Sequence, residues 1–458
     1  MITTLLDRWQ FGVTTVYHFL FVPLTIGLAL LVAIMQTIAY LRHDEDWDRA
    51  SRFFGQIFLI GFIMGVVTGI VEEFQFGMNW SNYSVFVGNI FGAPLAIEGL
   101  LAFFMESTFI GLWIFGRDKL PAGLHLATIW IVSFGTILSA FFILVANAWM
   151  QHPVGYTIVD HKALLTNFWV VLANSTVWAE FIHTVLAAFV TGGMFLLGVA
   201  AWKMLQGHDS AAFQKVARLA AVFTLVCVIG TVISGDVQAR LMDQQQPMKM
   251  AAAEAQYTTQ AGASFSVLTM WNLSGQPIFQ LRIPHLLSLI SDFSWDATVP
   301  GIHQLQAAES RRYGAGNYTP IVWVTYWSFR LMVGLGFLML AVAGWAVWLA
   351  RRRRLERSRW FLRVAVLSIA APFLANTFGW LFTEVGRQPW VVEDLMKTAQ
   401  AISPNVGLAS VALTLGGFTA LYTVLGVIDA MLVLRFARRP LVDADEPAGS
   451  GHEPSLVY

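Results

Sequence analysis

Nine apolar stretches, each near the 18 to 25 residues needed to cross about 30 Å of hydrocarbon, constrain this chain more than any other feature. They run roughly over residues 16–40, 54–76, 91–115, 124–146, 177–204, 216–234, 321–350, 361–382 and 406–434. In lipid every backbone polar group must be satisfied within its own segment, so stretches of this length predict helices. With 57% hydrophobic and 12% charged residues, the chain reads as an all-α, polytopic membrane protein. Its net charge of zero gives no argument for a nucleic-acid partner. The first stretch is too long for a signal-peptide core and lacks a small-residue cleavage site, so it is read as a retained helix. The one cysteine, Cys227, lies inside a span and reads as a small core residue.

Lysine and arginine in the short loops predict the orientation. Arg351, Arg352, Arg353 and Arg354, with Arg357 and Arg359, mark one cytoplasmic loop, and Arg435, Arg438 and Arg439 mark a cytoplasmic tail. Counting back, the loops with Arg42, Arg49 and Arg52, with Arg117 and Lys119, and with Lys203 and Lys215 share that side. Residues 79–90 carry no lysine or arginine and are expected outside. Nine spans then put the N-terminus outside and the C-terminus in the cytoplasm.

The spans divide the chain into four parts. Residues 1–234 hold six helices, 235–320 one long external loop, 321–439 three more helices, and 440–458 an acidic tail rich in Gly and Pro that is expected to be disordered. A loop of this length in a compact protein is usually functional or mobile. Within it, Pro247 predicts the start of a short helix. No internal repeat is visible, which argues against an inverted-repeat transporter.

Ionisable groups inside hydrocarbon are costly, and each is a functional hypothesis by default. The candidates are His18, Glu98, Glu106, His125, Glu180, His183, Arg330 and Glu384. His183 and Met332 lie roughly 10 and 16 Å below the outer edge of their spans, at a rise of 1.5 Å per residue. They read either as packed core residues or as a His/Met axial pair for a low-spin haem suited to electron transfer. His18 and Glu384 lie near the outer ends of their helices and could each leave a haem iron one open face, as oxygen chemistry requires. Glu384 could equally form an interfacial ion pair with Arg387, within Gly386-Arg387-Gln388-Pro389-Trp390. Glu98 and Glu106 are about 12 Å apart along one helix and on neighbouring faces, a spacing for a proton relay rather than a metal site. A carboxyl desolvated in lipid favours its neutral, proton-carrying form. His125 and Ser139 could extend the relay, and helix–helix hydrogen bonding is the alternative for all four.

Six strings occur in order along nearly the whole chain: TTVYHF, AIEGLLAFFMEST, LVANAWMQHPVG, QQPMKMAAAEA, FRLMVGLGF and GRQPW. Together they resemble subunit I of the cytochrome bd-type quinol oxidases. The resemblance implies a quinol:O2 oxidoreductase in the bacterial cytoplasmic membrane that reduces oxygen to water and builds a proton gradient by charge separation, without pumping. It implies that His183 and Met332 ligate a low-spin haem b, with Arg330 as a charge partner. It implies that His18 and Glu384 ligate two high-spin haems, one haem b and one either haem d or a third haem b, with Arg387 supporting haem charge. Which high-spin haem sits on which residue stays open. Glu98, Glu106, His125 and Ser139 are implied along proton routes, and Lys249 and Glu254 as quinol contacts in the external loop, or Q-loop. That loop lacks the insertion of the family's long form and so resembles the short one. The implied partners are a second subunit of like fold, with room for a small single-helix subunit, besides quinol, O2 and the bilayer. The alternative from another class is a cation transporter or channel that uses the buried glutamates.

Overall fold

The computed structural model describes residues 2–207, 210–272 and 275–441, so the tail expected to be disordered lies, from residue 442, outside the described residues. Among the described residues, nine helical segments are long and apolar enough to cross a membrane, as the sequence predicts. Six are single helices: α1 (Ile2–Arg42), α2 (Glu45–Met78), then, past the third span, α5 (Ala122–Gln151), α7 (Ser175–Gln206), α8 (Ser210–Gln245) and α12 (Val322–Arg351). The ninth span is also one helix, α16 (Leu408–Arg438). Two spans are interrupted. The third runs through α3 (Ser81–Ile97), a π-helical segment (Glu98–Phe103) and α4 (Phe104–Phe115), and the eighth through α13 (Arg359–Leu367) and α14 (Ala370–Gly386). The helices overrun the apolar stretches at most ends, because their terminal turns carry polar residues that hydropathy leaves out.

Local chemistry sets the ends. Asp44 caps α2 by accepting from the Asp46 N–H at 3.1 Å, and Asn174 caps α7 by accepting from the Thr176 N–H at 3.1 Å. Gly207, at φ +77°, closes α7 in the left-handed region, which glycine adopts at no steric cost.

Apolar side chains gain nothing by leaving lipid, so close contact and small residues must hold the helices together. At the crossing of α1 and α7, Gly27 and Gly192 face each other so closely that a Cβ on Gly27 would fall 2.4 Å from the Ala188 carbonyl oxygen. Neither backbone leaves room for a side chain at this crossing. Around it pack Leu28, Leu31, Met35, Phe54, Phe58, Leu197 and Phe213, all fully or almost fully buried. Cys227 is buried within the same core, as expected.

The face formed by the N-terminal ends of α1, α7, α12 and α16 carries the longer connections. One holds the hairpin of β1 (Tyr156–Val159) and β2 (Lys162–Leu165), followed by α6 (Phe168–Leu172). The longest, between α8 and α12, opens with α9 (Pro247–Ala253), the short helix predicted after Pro247. It continues with β3 (Gln260–Ala261), an antiparallel hairpin of β4 (Phe265–Trp271) and β5 (Pro277–Ile283), α10 (Leu286–Asp292), β6 (Thr298–Val299), which pairs with β3, and α11 (Ile302–Tyr313). Between α14 and α16 a last hairpin, β7 (Trp390–Val392) with β8 (Met396–Lys397), leads into α15 (Thr398–Ala401).

Candidate functional site

His18 and His183 share one arrangement. On α1, His18 Nδ1 lies 2.9 Å from Thr68 Oγ1, and that hydroxyl donates to the Met64 carbonyl at 2.8 Å. On α7, His183 Nδ1 lies 3.1 Å from Ser234 Oγ, which donates to the Thr231 carbonyl at 3.1 Å. With the hydroxyl proton on that carbonyl, the oxygen accepts from the ring, and the imidazole is then the Nδ1–H tautomer. Each ring then turns a bare Nε2 lone pair away from its anchor. Among the described residues, no hydrogen bond reaches either Nε2. This is how a metal-ligating imidazole is held.

Glycines back the same side chains. A Cβ on Gly69 would meet His18 Cε1 at 3.2 Å, one on Gly235 would meet His183 Cε1 at 3.1 Å, and one on Gly379 would meet Met332 Sδ at 3.2 Å. Met332 lies in the third turn of α12 and His183 in the third turn of α7, so both sit at similar depth from the same face. Glu384, in the last turn of α14, gives Oε2 to the Arg387 guanidinium at 2.5 Å and leaves Oε1 buried without a partner. The ion pair read as an alternative to a ligand role is therefore present, and one carboxylate oxygen stays open beside it. Two bare imidazole nitrogens, a thioether and a half-free carboxylate are a donor set that fits haem iron.

The proton-relay candidates differ from the sequence reading in two respects. Eight residues of regular α-helix would set Glu98 and Glu106 on neighbouring faces, but the π-helical turn between them re-phases the span, and both face α5. Glu98 Oε1 accepts from Ser139 Oγ at 2.7 Å, and Glu106 packs against Gly135, whose added Cβ would lie 2.6 Å from Glu106 Cγ. Glu106 is buried and its Oε1 has no partner. His125 is not brought to this pair. Its Nδ1 lies 2.8 Å from Gln36 Nε2, its Nε2 lies 2.8 Å from the Trp113 carbonyl oxygen, and its ring stacks on Trp113. Both ring nitrogens are taken, so helix–helix bonding describes His125 better than a free relay group.

The two loop residues diverge. Lys249 is 3% exposed and reaches down towards α5 and α14, where Nζ donates to Gln151 Oε1 at 3.2 Å and lies 5.2 Å from the centre of the Phe382 ring. Gly386 leaves it room, since a Cβ there would lie 2.9 Å from Lys249 Cγ. Burial pushes the Lys249 ammonium well below its usual range, Arg387 adds to this, and Glu180 opposes it. Gln151 also donates to Glu180. Glu254 is 2% exposed and faces α12, where both its oxygens accept from Arg330, at 3.1 and 2.5 Å. Burial pushes its carboxyl up and Arg330 holds it back. Arg330 also donates to the Ser266 carbonyl from Nε at 3.0 Å, fixing β4 to α12.

Several participants escaped the sequence reading. Thr68 and Ser234 are unremarkable hydroxyls in apolar runs, though Ser234 stands beside Gly235. Glu72 accepts from Thr15 Oγ1 at 2.5 Å and leaves Oε2 buried without a partner, and the Glu72-Glu73 pair near the end of the second span was the available signal. Glu309 and Glu393 line a narrow cavity with Lys249 and Arg387, and nothing in their local sequence marks them.

Residues 6–441 match the family described as cytochrome bd terminal oxidase subunit I. The chain is 46% identical over 437 residues to cytochrome bd ubiquinol oxidase subunit 1 of Bacillus subtilis (strain 168), covering 94% of this chain and 92% of that protein. It is 37% identical to cytochrome bd-II ubiquinol oxidase subunit 1 of Escherichia coli (strain K12), covering 94% and 96%. Its fold is similar to a chain of the bd oxidase from Geobacillus thermodenitrificans, with a TM-score of 0.88 and 26% identity over 95% of this chain and 98% of that one.

Proposed function

This chain belongs to the cytochrome bd terminal oxidase subunit I family, and from that premise we propose that it oxidises a quinol at the loop-bearing face and supports reduction of O2 to water within the bundle. The observation that carries the reading is the pair of histidines each held at Nδ1 by a hydroxyl of the neighbouring helix, with no hydrogen bond to Nε2 among the described residues. A transporter has no use for two such nitrogens, so the ion-transport alternative is not favoured.

His183 and Met332 would hold a low-spin haem b, and His18 and Glu384 two high-spin haems, one of type b and one of type d or b. The haems, when bound, carry the electrons of the quinol to oxygen. Everything else falls to the protein. Thr68 and Ser234 fix the imidazoles, and Arg387 neutralises one Glu384 oxygen while its own Nε and Nη1 stay open for a further anion. Arg330 serves the low-spin centre as a charge partner two residues from Met332, and its pairing with Glu254 ties the quinol loop to that centre.

Lys249 takes up quinol protons, and Glu254 orients the quinol, at the loop-bearing face, which the arginine-rich opposite face assigns to the outside. This reading keeps residues 235–320 as the external Q-loop, of the short form, with α8 continuing through its first residues to Gln245, and with the N-terminus outside and the C-terminus in the cytoplasm of a bacterial cell membrane. Protons for water enter from the cytoplasmic side through Glu106 and Glu98, with Ser139 bonding the latter, while His125 positions α4 against α5. Proton release on one side and uptake on the other separates charge without a pump. A second subunit covers part of the apolar surface, and a small single-helix subunit has room beside it.

The test is a dithionite-reduced minus air-oxidised spectrum of the purified complex with pyridine haemochrome typing. A low-spin b signal with a far-red chlorin band is the expected result, b signals alone would give the all-b form, and a folded complex without haem would overturn the reading.

A further inference from the structure

The cavity that Lys249 enters is bounded by α9, α11, the end of α14 and the β7–β8 hairpin, and its walls hold more polar atoms than the protein pairs. Arg387 is 2% exposed with Nε and Nη1 unpaired, Gln246 is 4% exposed with Oε1 unpaired, and Glu309 Oε2 is buried without a partner. Open donors and acceptors around one space are satisfied by ordered water, and the cavity is about large enough for one molecule. Lys249 itself has no carboxylate within ion-pair distance among the described residues, only the neutral Gln151. Its charge is therefore not locked in a structural pair.

Two carboxylates on separate elements line the same space. Glu393 begins the turn of the hairpin, held by its N–H to the Met150 carbonyl at 2.8 Å, and Glu309 projects from α11. Burial first, then Asp394, pushes the Glu393 carboxyl up to about 8, with Arg387 and Lys249 opposing and Glu309 adding to the rise. Burial and Asp394 push Glu309 up to about 7, against Trp390, Arg312 and Lys397. Beyond them Asp394, its side chain 42% exposed and 3.4 Å from Arg312, reaches solvent. The buried Lys249 amine and two carboxyls thus line one cavity, and a solvent-reaching carboxylate follows Glu393 in the hairpin turn.

We propose that Glu393 and Glu309 are the proton exit of the quinol site, receiving protons from Lys249 across the cavity water and passing them to the medium at the exposed hairpin turn. The proposal rests on the reading of Lys249 as a quinol contact. Oxidation of one quinol to quinone breaks two O–H bonds and releases two electrons and two protons. The electrons leave through the redox cofactors. Each proton moves from a quinol hydroxyl to neutral Lys249, from the resulting ammonium through water to a carboxylate, and from the carboxyl to bulk water beside Asp394, which restores every group for the next cycle.

The experiment is the pH profile of quinol oxidation by the complete complex in wild type, Glu393→Gln, Glu393→Asp and Lys249→Met. Above pH 8 the wild-type Glu393 accepts protons and the glutamine cannot. At pH 8.5 the kcat of Glu393→Gln is expected to fall roughly ten-fold, less than the hundred-fold typical of losing a general base because Glu309 and water remain. At pH 6, where Glu393 already holds its proton, the two enzymes are expected to differ by less than about two-fold, with KM unchanged, and Glu393→Asp should restore the alkaline limb. A Glu393→Gln profile parallel to wild type overturns the exit. So does a loss equal at both pH values that the aspartate fails to restore, since that marks a structural role. If Lys249→Met also leaves kcat and KM at wild-type values, the quinol reading of Lys249 falls as well; an impaired Lys249→Met beside an unaffected Glu393→Gln rejects the exit alone.

Discussion

Arg330 on α12 grips both oxygens of Glu254, at 3.1 and 2.5 Å, two residues before Met332. The side chains are 12% and 2% exposed, so the pair is buried, and removing one charge strands the other. Glu254→Gln is expected to cost about 3 kcal/mol of stability and to release β4 from α12, because Arg330 also holds the Ser266 carbonyl. Thermal melting of the purified complex measures the loss, and the reduced spectrum of the low-spin haem reports whether Met332 has moved. A melt equal to wild type would show that Arg330 finds another counter-charge.

The hydroxyls behind the histidines give a second expectation. Ser234→Ala removes the hydroxyl partner of His183 Nδ1, and loss of such outer partners typically weakens metal binding by about 10-fold to 100-fold. Haem should pass to excess apomyoglobin at least about ten-fold faster from Ser234→Ala than from wild type, and Thr68→Val should do the same for the haem proposed on His18. Unchanged transfer rates would mean that packing alone orients the rings.

These two features also show where the sequence was legible. Nine spans could be read because hydrocarbon imposes length and composition on a whole helix, so the signal survives errors at either end. His18, His183 and Glu384 stood out because a polar residue in lipid is rare. Thr68 and Ser234 did not, since a hydroxyl in a transmembrane helix commonly bonds its own backbone, as both do here, and the second bond depends on which helix lies opposite. The π-helical turn was equally hidden, because Glu98–Phe103 is apolar after its first residue and has nothing that distinguishes it from an α-helix. Glu309 and Glu393 are 84 residues apart and meet only through the folding of the loop segments.

That π-helical turn underlies a third expectation. It aims Glu98 and Glu106 at Ser139 and Gly135, one turn apart on α5. Glu106→Gln should slow oxygen reduction while quinol still reduces the low-spin haem, and normal turnover with a normal gradient in that variant would falsify the relay. Gly135→Ala tests the same contact from the other helix, because its methyl would lie 2.6 Å from Glu106 Cγ and the carboxyl must move. A fall of about ten-fold in O2 consumption is expected, within the range that displaced proton-transfer groups produce.

A last expectation concerns stability and pH at the loop-bearing face. The carboxyl of Glu309 rises from an ordinary 4.5 to about 7 in the folded protein, chiefly through burial. Between these values the folded state binds more protons than the unfolded one, so stability falls as pH rises from about 4.5 to 7, and above 7 the cost of the charged form is fully present. Glutamine carries no charge at any pH. Glu309→Gln should therefore melt with wild type at pH 4 and above it at pH 8, by about 1 kcal/mol once partial exposure of the side chain screens the penalty. The opposite order at pH 8 would mean that Arg312 and Lys397 stabilise the carboxylate more than burial costs it, and that Glu309 stands charged in the cavity at neutral pH.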